Sequence, residues 1–209
     1  MIVHTAGSIV KLLQDYREKD GGKIQWIICP TAPIAPGLAG YDKAVQSLVD
    51  AGVDAIYIWG VHADGLASKD IGLLAKAVEL VKNHGIPCGV GGHATSVVVE
   101  CEKARVPNDF YIKTFHHDKY PSFKLNHDSC WCLDAEKLIE VMKPVEKPWI
   151  AFKTMAAGAI PPGDAFPWCF RNGADFIVAG MFDFEIAQDA QICKKAVEDA
   201  KERGRPWRA

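Results

Sequence analysis

The segment KPWIAFKTMAAGAIPPGDAFPWCFRNGADFIVAGMFDFE, Lys147 to Glu185, spells out one strand–turn–helix–strand unit. Trp149 to Thr154 is a short apolar run of strand length that carries a lysine near its end. Ala156 to Ile160 is a tight turn of small residues. Pro161-Pro162 then opens a helix, at the position where a missing N–H is tolerated. Gly173 stops that helix, and Asp175 to Met181 is the second apolar run. Two strands joined through a helix pair in parallel, so the segment predicts a βαβ unit.

The rest of the chain repeats this unit. Strands are predicted over Met1–Thr5, Lys23–Cys29, Asp54–Trp59, Pro87–Gly92 and Asp109–Phe115. Helices are predicted over Gly7–Lys19, Tyr41–Asp50, Ile71–Asn83, Thr95–Lys103, Ala135–Met142 and Glu185–Arg203. Leu73, Leu74, Ala77, Val78 and Val81 fall on one face of the third of these. Three strands share an entry signal, Val53-Asp54-Ala55-Ile56, Asn108-Asp109-Phe110-Tyr111 and Ala174-Asp175-Phe176-Ile177. No stretch has linker composition, so residues 1–209 read as one domain. The fold class is α/β, a TIM-type (βα) barrel of parallel strands. Seven strands are counted, where a full barrel has eight in about 250 residues. The expectation is a barrel incomplete at the N-terminus, short of its first βα unit. An open doubly wound sheet is the rival. A missing strand exposes a sheet edge, which predicts a homodimer or higher oligomer, or a gap covered by the two termini.

Composition narrows the function classes. Of 209 residues, 49% are hydrophobic and 24% charged, with a net charge of −2, so neither nucleic acid nor membrane is expected as partner. Met1 to Thr5 has no basic stretch before a long apolar core, so no secretory leader is visible. The seven cysteines are scattered; Cys130 and Cys132, the one close pair, are too near for a zinc knuckle. Reduced thiols in a cytoplasmic protein follow. The partner expected is a small-molecule substrate.

Strand alternation assigns directions, because large apolar residues of a barrel strand face the helices. Ile150 and Phe152 outward put Lys153 inward; Phe110 and Ile112 outward put Lys113 inward. The same parity turns Gly91, His93 and Tyr57 inward, and offers Asp183 beyond the last strand. His93, Lys113, Lys153 and Asp183 then meet at the C-terminal mouth, where barrel enzymes keep their chemistry. Two lysines side by side are costly to bury as cations. An amine attacks a carbonyl only when neutral, and a neighbouring cation favours the neutral form. Lys113 and Lys153 thus read as a Schiff-base couple, with Asp183 or His93 moving protons. The bland alternative is two lysines snorkelling from strand ends.

Asp109-Phe110-Tyr111-Ile112-Lys113-Thr114 resembles the Schiff-base strand of the deoxyribose-phosphate aldolases. Phe152-Lys153-Thr154-Met155-Ala156-Ala157-Gly158-Ala159-Ile160 is similar to that family's next strand, with its second lysine before a small-residue turn. The resemblance implies Lys113 as the imine lysine and Lys153 as its partner, with no cofactor required. It covers two strands and the following helix, and has no counterpart of the family's catalytic aspartate on Asp54–Trp59. AAGAIPP, NGADFI and GMFDF together resemble largely uncharacterised bacterial aldolase-type TIM-barrel proteins.

Two rival readings stand beside it. His93, His116 and Asp183 follow strand ends in an order suited to a divalent metal (Zn, Mn or Mg) and a hydrolase that activates water. A catalytically inactive or binding-only truncated barrel is the third. His62, Tyr57, His116, His117, Gly158 and Gly180 are the substrate-binding candidates. The turns at Ala156–Ile160 and Ala179-Gly180 occupy the usual place of a barrel phosphate site, but Pro161, Pro162 and Met181 suit one poorly. The loop His116–Asp134, with Tyr120, Phe123, His127 and Trp131, reads as a lid or as a cover of the mouth.

Overall fold

A computed structural model describes residues 1–5, 8–123 and 131–208. His127 and Cys130 of the long loop lie outside them. All seven expected strands form, as β1 (Ile2–His4), β2 (Ile27–Cys29), β3 (Ala55–Ile58), β4 (Cys88–Gly92), β5 (Phe110–Thr114), β6 (Trp149–Phe152) and β7 (Phe176–Val178). Their order in the sheet is their order in the chain, and the register pairs Ile28 with Ile56 and Ala151 with Ile177 in parallel ladders. The helices are α1 (Ile9–Asp20), α2 (Ala39–Asp50), α3 (Gly60–Lys69), α4 (Ile71–Asn83), α5 (Thr95–Lys103), α6 (Ala135–Met142), α7 (Pro162–Arg171) and α8 (Ile186–Asp199). This is a TIM-type α/β architecture with seven strands described, one fewer than a full barrel.

Helix α3 is absent from the sequence reading. Its segment GVHADGLASK is only weakly amphipathic, so no apolar stripe marks it. It ends at Asp70, whose carboxylate accepts the Leu73 amide at 2.9 Å and so caps α4. The stripe of α4 behaves as expected, with Leu74, Ala77, Val78 and Val81 fully buried. Each of its larger side chains contributes about 1.5–3 kcal/mol by leaving water.

The chain forms two compact units, Met1–Gly92 with Val99–Asp109, and His93–Val98 with Phe110–Ala209. In the first, Ile28, Ile56, Ile58 and Val90 of the strands are buried, as are Leu13 of α1 and Val45 of α2. Gly91 is required there: a Cβ would stand 2.9 Å from the Ile58 carbonyl oxygen, 3.1 Å from the Gly60 nitrogen and 3.2 Å from the Tyr57 ring. In the second, the Phe115 ring lies 4.4 Å from those of both Trp149 and Trp168. Tyr120, Ile160, Phe166 and Phe170 form a cluster with Ala196 of α8 and Ala200 just past its end. Tyr120 and Phe123 of the long loop are therefore core packing, which corrects their reading as parts of a lid.

The three strand-entry aspartates do one job. Each carboxylate accepts the backbone N–H at the start of the strand one place earlier in the sheet: Asp54 from Trp26 (2.7 Å), Asp109 from Cys88 (2.8 Å) and Asp175 from Trp149 (2.9 Å). Each also meets a cation, respectively Arg17 (2.7 Å), Lys82 (2.6 Å) and Arg205 (2.6 Å). The repeated motif is thus a staple at the N-terminal end of the strands. Around Asp175 it is elaborated by Arg203 and the Arg208 amide. Arg205 reaches on to the carbonyls of Val145, Lys147 and Gly173, fastening the C-terminal segment beneath β6 and β7.

Candidate active site

The candidate site lies in the second unit and is built outward from β5. Lys113, 2% exposed, donates from Nζ to the His93 carbonyl at 2.6 Å and to that of Thr114 at 3.0 Å. Three residues on, His116 is sealed from solvent. Its Nδ1 faces the His117 carbonyl at 2.9 Å, and its Nε2 accepts the backbone N–H groups of Trp131 and Cys132, both at 3.1 Å. Two donors on Nε2 place the single ring proton on Nδ1, so the imidazole is neutral. Burial, seconded by the charges of His117 and Lys113, holds its pKa below the usual histidine value. His116 is thus the anchor that brings the far end of the long loop back to β5.

Anchoring delivers Trp131. Its ring lies 5.0 Å from that of His93, and Lys153 Nζ stands 3.8 Å from its centroid, a cation–π distance. The connected order is Lys113, His93, Trp131, Lys153. Lys153 does not reach this place by strand parity. β6 ends at Phe152, and Lys153 takes the left-handed conformation, φ 55°. Ala156 and Ala157 are left-handed too, at φ 47° and 56°. Non-glycine residues there store strain of order 1–3 kcal/mol each, and such outliers cluster at functional sites.

Lys153 opens on a cleft of about 680 Å³. One wall is apolar, with Trp131, Phe152, Met155, Ile160, Val178 and Phe182. Gly158 and Gly180 line it as well; φ is 87° at Gly158, which its lack of a side chain permits. The polar groups are Lys153, Thr154, Glu185 and Asp189. Thr154 Oγ1 is buried without a hydrogen-bond partner, as is the corresponding Oγ1 of Thr114 beside Lys113.

Several expected residues lie elsewhere. Asp183 is exposed, is not in the cleft wall, and accepts the amide of its own neighbour Phe184 at 3.0 Å. β7 stops at Val178, three residues before the expected end at Met181, so parity cannot be carried on to Asp183. The carboxylates that do face the cleft are Glu185 and Asp189. His93, His116 and Asp183 are not brought together as a metal site: the Nε2 of His116 is committed to two amides, and among the described residues no three His, Cys, Asp or Glu side chains form a metal-holding group. His117 packs its ring against Trp168 at 5.3 Å and accepts the Lys119 amide on Nδ1. Its pKa is lowered by burial.

Tyr57 and His62 belong to the first unit. Tyr57 shares a hydrogen bond with Cys29, whose thiol burial pushes up to about 11. His62 sits on α3 with its ring 5.4 Å from Trp59 and its pKa lowered by burial.

Asp189 was missed by the sequence reading, yet carried a signal. It shares the helical stripe of α8 with Ile192, Cys193 and Ala196, where an acid is out of place. Trp131 carried none beyond its place in a long loop, because its position depends on the ring of a residue fifteen places earlier.

No protein-family model matches the chain, and no curated protein matches it. Among solved structures, the truncated form of 3-deoxy-D-arabino-heptulosonate 7-phosphate synthase from Thermotoga maritima superposes with a TM-score of 0.63 at 13% identity, over 96% of this chain and 76% of that one. Phospho-2-dehydro-3-deoxyheptonate aldolase (DAHP synthase) from the same organism gives 0.53 at 13% identity, over 97% of this chain and 70% of that one. At such identity the likeness is one of fold: the structural neighbours are aldolase-type TIM-barrel proteins. No helix among the described residues is long and apolar enough to cross a membrane.

Proposed function

We propose that the protein is a lyase of the aldolase type that works through a lysine imine on a small carbonyl compound, with no cofactor required. The observation that carries this reading is Lys153: its amine stands over the Trp131 ring at the wall of the cleft, on strained backbone, with a second lysine linked to it through His93. The fold of an aldolase-named neighbour agrees with it. The resemblance of the two lysine strands to deoxyribose-phosphate aldolases supports it but gives the imine to Lys113. Exposure favours the reverse assignment, since Lys113 is buried on two carbonyls and is not in the cleft wall, whereas Lys153 is.

In the proposed cycle the neutral Lys153 amine adds to the carbonyl carbon and the carbonyl oxygen takes up a proton. Loss of water leaves an iminium. The bond between the next two carbons then breaks, its electrons pass into the iminium to give an enamine, and the hydroxyl on the far carbon loses its proton to a carboxylate as that carbon becomes the carbonyl of the first product, which leaves. Protonation of the enamine carbon and hydrolysis by water release the second product and restore the amine. Glu185, the more exposed of the two carboxylates on the cleft wall, is the one placed for the proton transfers. Trp131 excludes water from the amine on one side. Lys113, through the His93 carbonyl, positions the segment that meets Trp131.

Borohydride reduction in the presence of small aldehydes and ketones, followed by peptide mass spectrometry, tests this. An adduct on Lys153 is expected, one on Lys113 would reverse the roles, and none on either lysine defeats the imine mechanism in favour of a binding-only barrel.

A further inference from the structure

The end of the cleft formed by α8 carries a second message, and it concerns the part of the substrate that does not react. Asp189 is 6% exposed, on the buried face of α8, and what surface it keeps is on the cleft. No hydrogen bond or ion pair to its carboxylate is found among the described residues, and its oxygens are not among the sealed atoms without a partner, so they open on the cleft. A carboxylate so enclosed favours a donor or counter-charge supplied from the cleft. Glu185, one helical turn earlier, lines the same wall, with one oxygen already accepting the Phe182 amide at 3.0 Å. Thr154 lines the same wall, with its hydroxyl sealed from solvent and unpartnered.

The devices that hold a phosphate at this end of a barrel are meanwhile weakened. Helix α7 presents Pro161 and Pro162 at its start, which removes two of the N–H groups that could grip an anion. Helix α8 begins with Glu185 and places Asp189 within its first turn, carboxylates where an anion site needs donors. Met181 and Phe182 line the turn between them. Two carboxylates repel a phosphate brought beside them.

We infer that Asp189, aided by Glu185, is the specificity determinant of this cleft, and that it takes a hydrogen-bond donor, best an ammonium group, on a small substrate that carries no phosphate. The inference deepens the imine reading by giving the substrate class: the carbonyl meets Lys153 and the amino or hydroxyl end meets Asp189.

Ligands without a carbonyl separate the two ideas. Binding of 3-amino-1,2-propanediol and of glycerol 3-phosphate is measured by amide chemical-shift titration, in the wild type, Asp189→Asn and Glu185→Gln. The amine is expected to bind at least tenfold more tightly than the phosphate. Asp189→Asn is expected to weaken the amine tenfold or more and to improve the phosphate, and Glu185→Gln, at a more exposed position, to do the same to a lesser degree. Equal or tighter binding of glycerol 3-phosphate by the wild type overturns the inference. So does absence of amine binding, or amine affinity unchanged in both folded variants. Borohydride trapping with glyceraldehyde and glyceraldehyde 3-phosphate is run alongside. Preference for the unphosphorylated aldehyde supports both ideas. Trapping of neither, with amine binding intact, leaves the acidic subsite standing and removes the imine alone.

Discussion

Replacing the strand-entry aspartates by alanine, one at a time, sets the same chemistry in three degrees of burial. Asp175 is the extreme case. Its side chain is 0% exposed and those of its partners Arg205 and Arg203 are 1% and 4% exposed. Asp175→Ala leaves both guanidinium groups without a counter-charge in the interior and removes the acceptor of the Trp149 and Arg208 amides. Removing one partner of a buried pair costs about 3–5 kcal/mol. Arg205 keeps the carbonyls of Val145, Lys147 and Gly173, which holds the expected loss near the middle of that range, about 4 kcal/mol. At Asp54 the side chains are 40% exposed for the acid and 29% for Arg17, and the ion pair itself is worth about 0–1 kcal/mol. The lost acceptor of the Trp26 amide brings Asp54→Ala to about 1 kcal/mol. Asp109, 38% exposed beside a Lys82 that is 37% exposed, belongs with Asp54. In urea, with a slope of about 2 kcal/mol per molar, the midpoint falls by about 2 M for Asp175→Ala and by about 0.5 M for the other two. Equal shifts at all three positions, or a larger one at Asp54, would refute the claim that burial of the pair sets the cost.

Three further outcomes follow from the geometry. Trp131→Ala removes the ring that shields the Lys153 amine from water and would lie over the positively charged iminium, and is expected to slow reductive trapping at Lys153 by about tenfold, with Trp131→Phe between it and the wild type. Burial holds the pKa of His116 below 6.5, so under that pH the unfolded chain binds a proton that the folded chain refuses. Stability therefore falls as pH drops below about 6.5, by at most about 1.4 kcal/mol per pH unit from this residue, and urea midpoints across pH should show a shallower slope for His116→Gln. His62 and His117 act in the same direction but are less enclosed, so they contribute less. Gly91→Ala sets a Cβ against two backbone atoms that have no room to yield, and a loss of about 1–3 kcal/mol in thermal or urea unfolding is expected.

Much of the scaffold is legible in the sequence. Apolar runs of strand length, helix-ending glycines and the repeated aspartate entry are local signals, and all seven strands appear where they pointed. The faint amphipathicity of α3 is why that helix was not found. Lys113 was placed correctly in its strand, since β5 runs through it to Thr114. Parity failed at Lys153 and Asp183 for one physical reason: alternation holds only while hydrogen-bonded strand continues, and β6 and β7 end before those residues.

The sequence by itself determined the alternation of strands and helices, the parallel pairing that this alternation demands, and the presence of two lysines close to strand ends. Those follow from spacing, which the chain carries locally. The working surface of the cleft did not. A sealed histidine fixes where a tryptophan fifteen residues later lies, a left-handed residue aims Lys153, and packing of α8 turns Asp189 toward the same space. Each of these depends on contacts between distant segments, so the tertiary arrangement alone makes Trp131, Lys153 and Asp189 neighbours of one cleft.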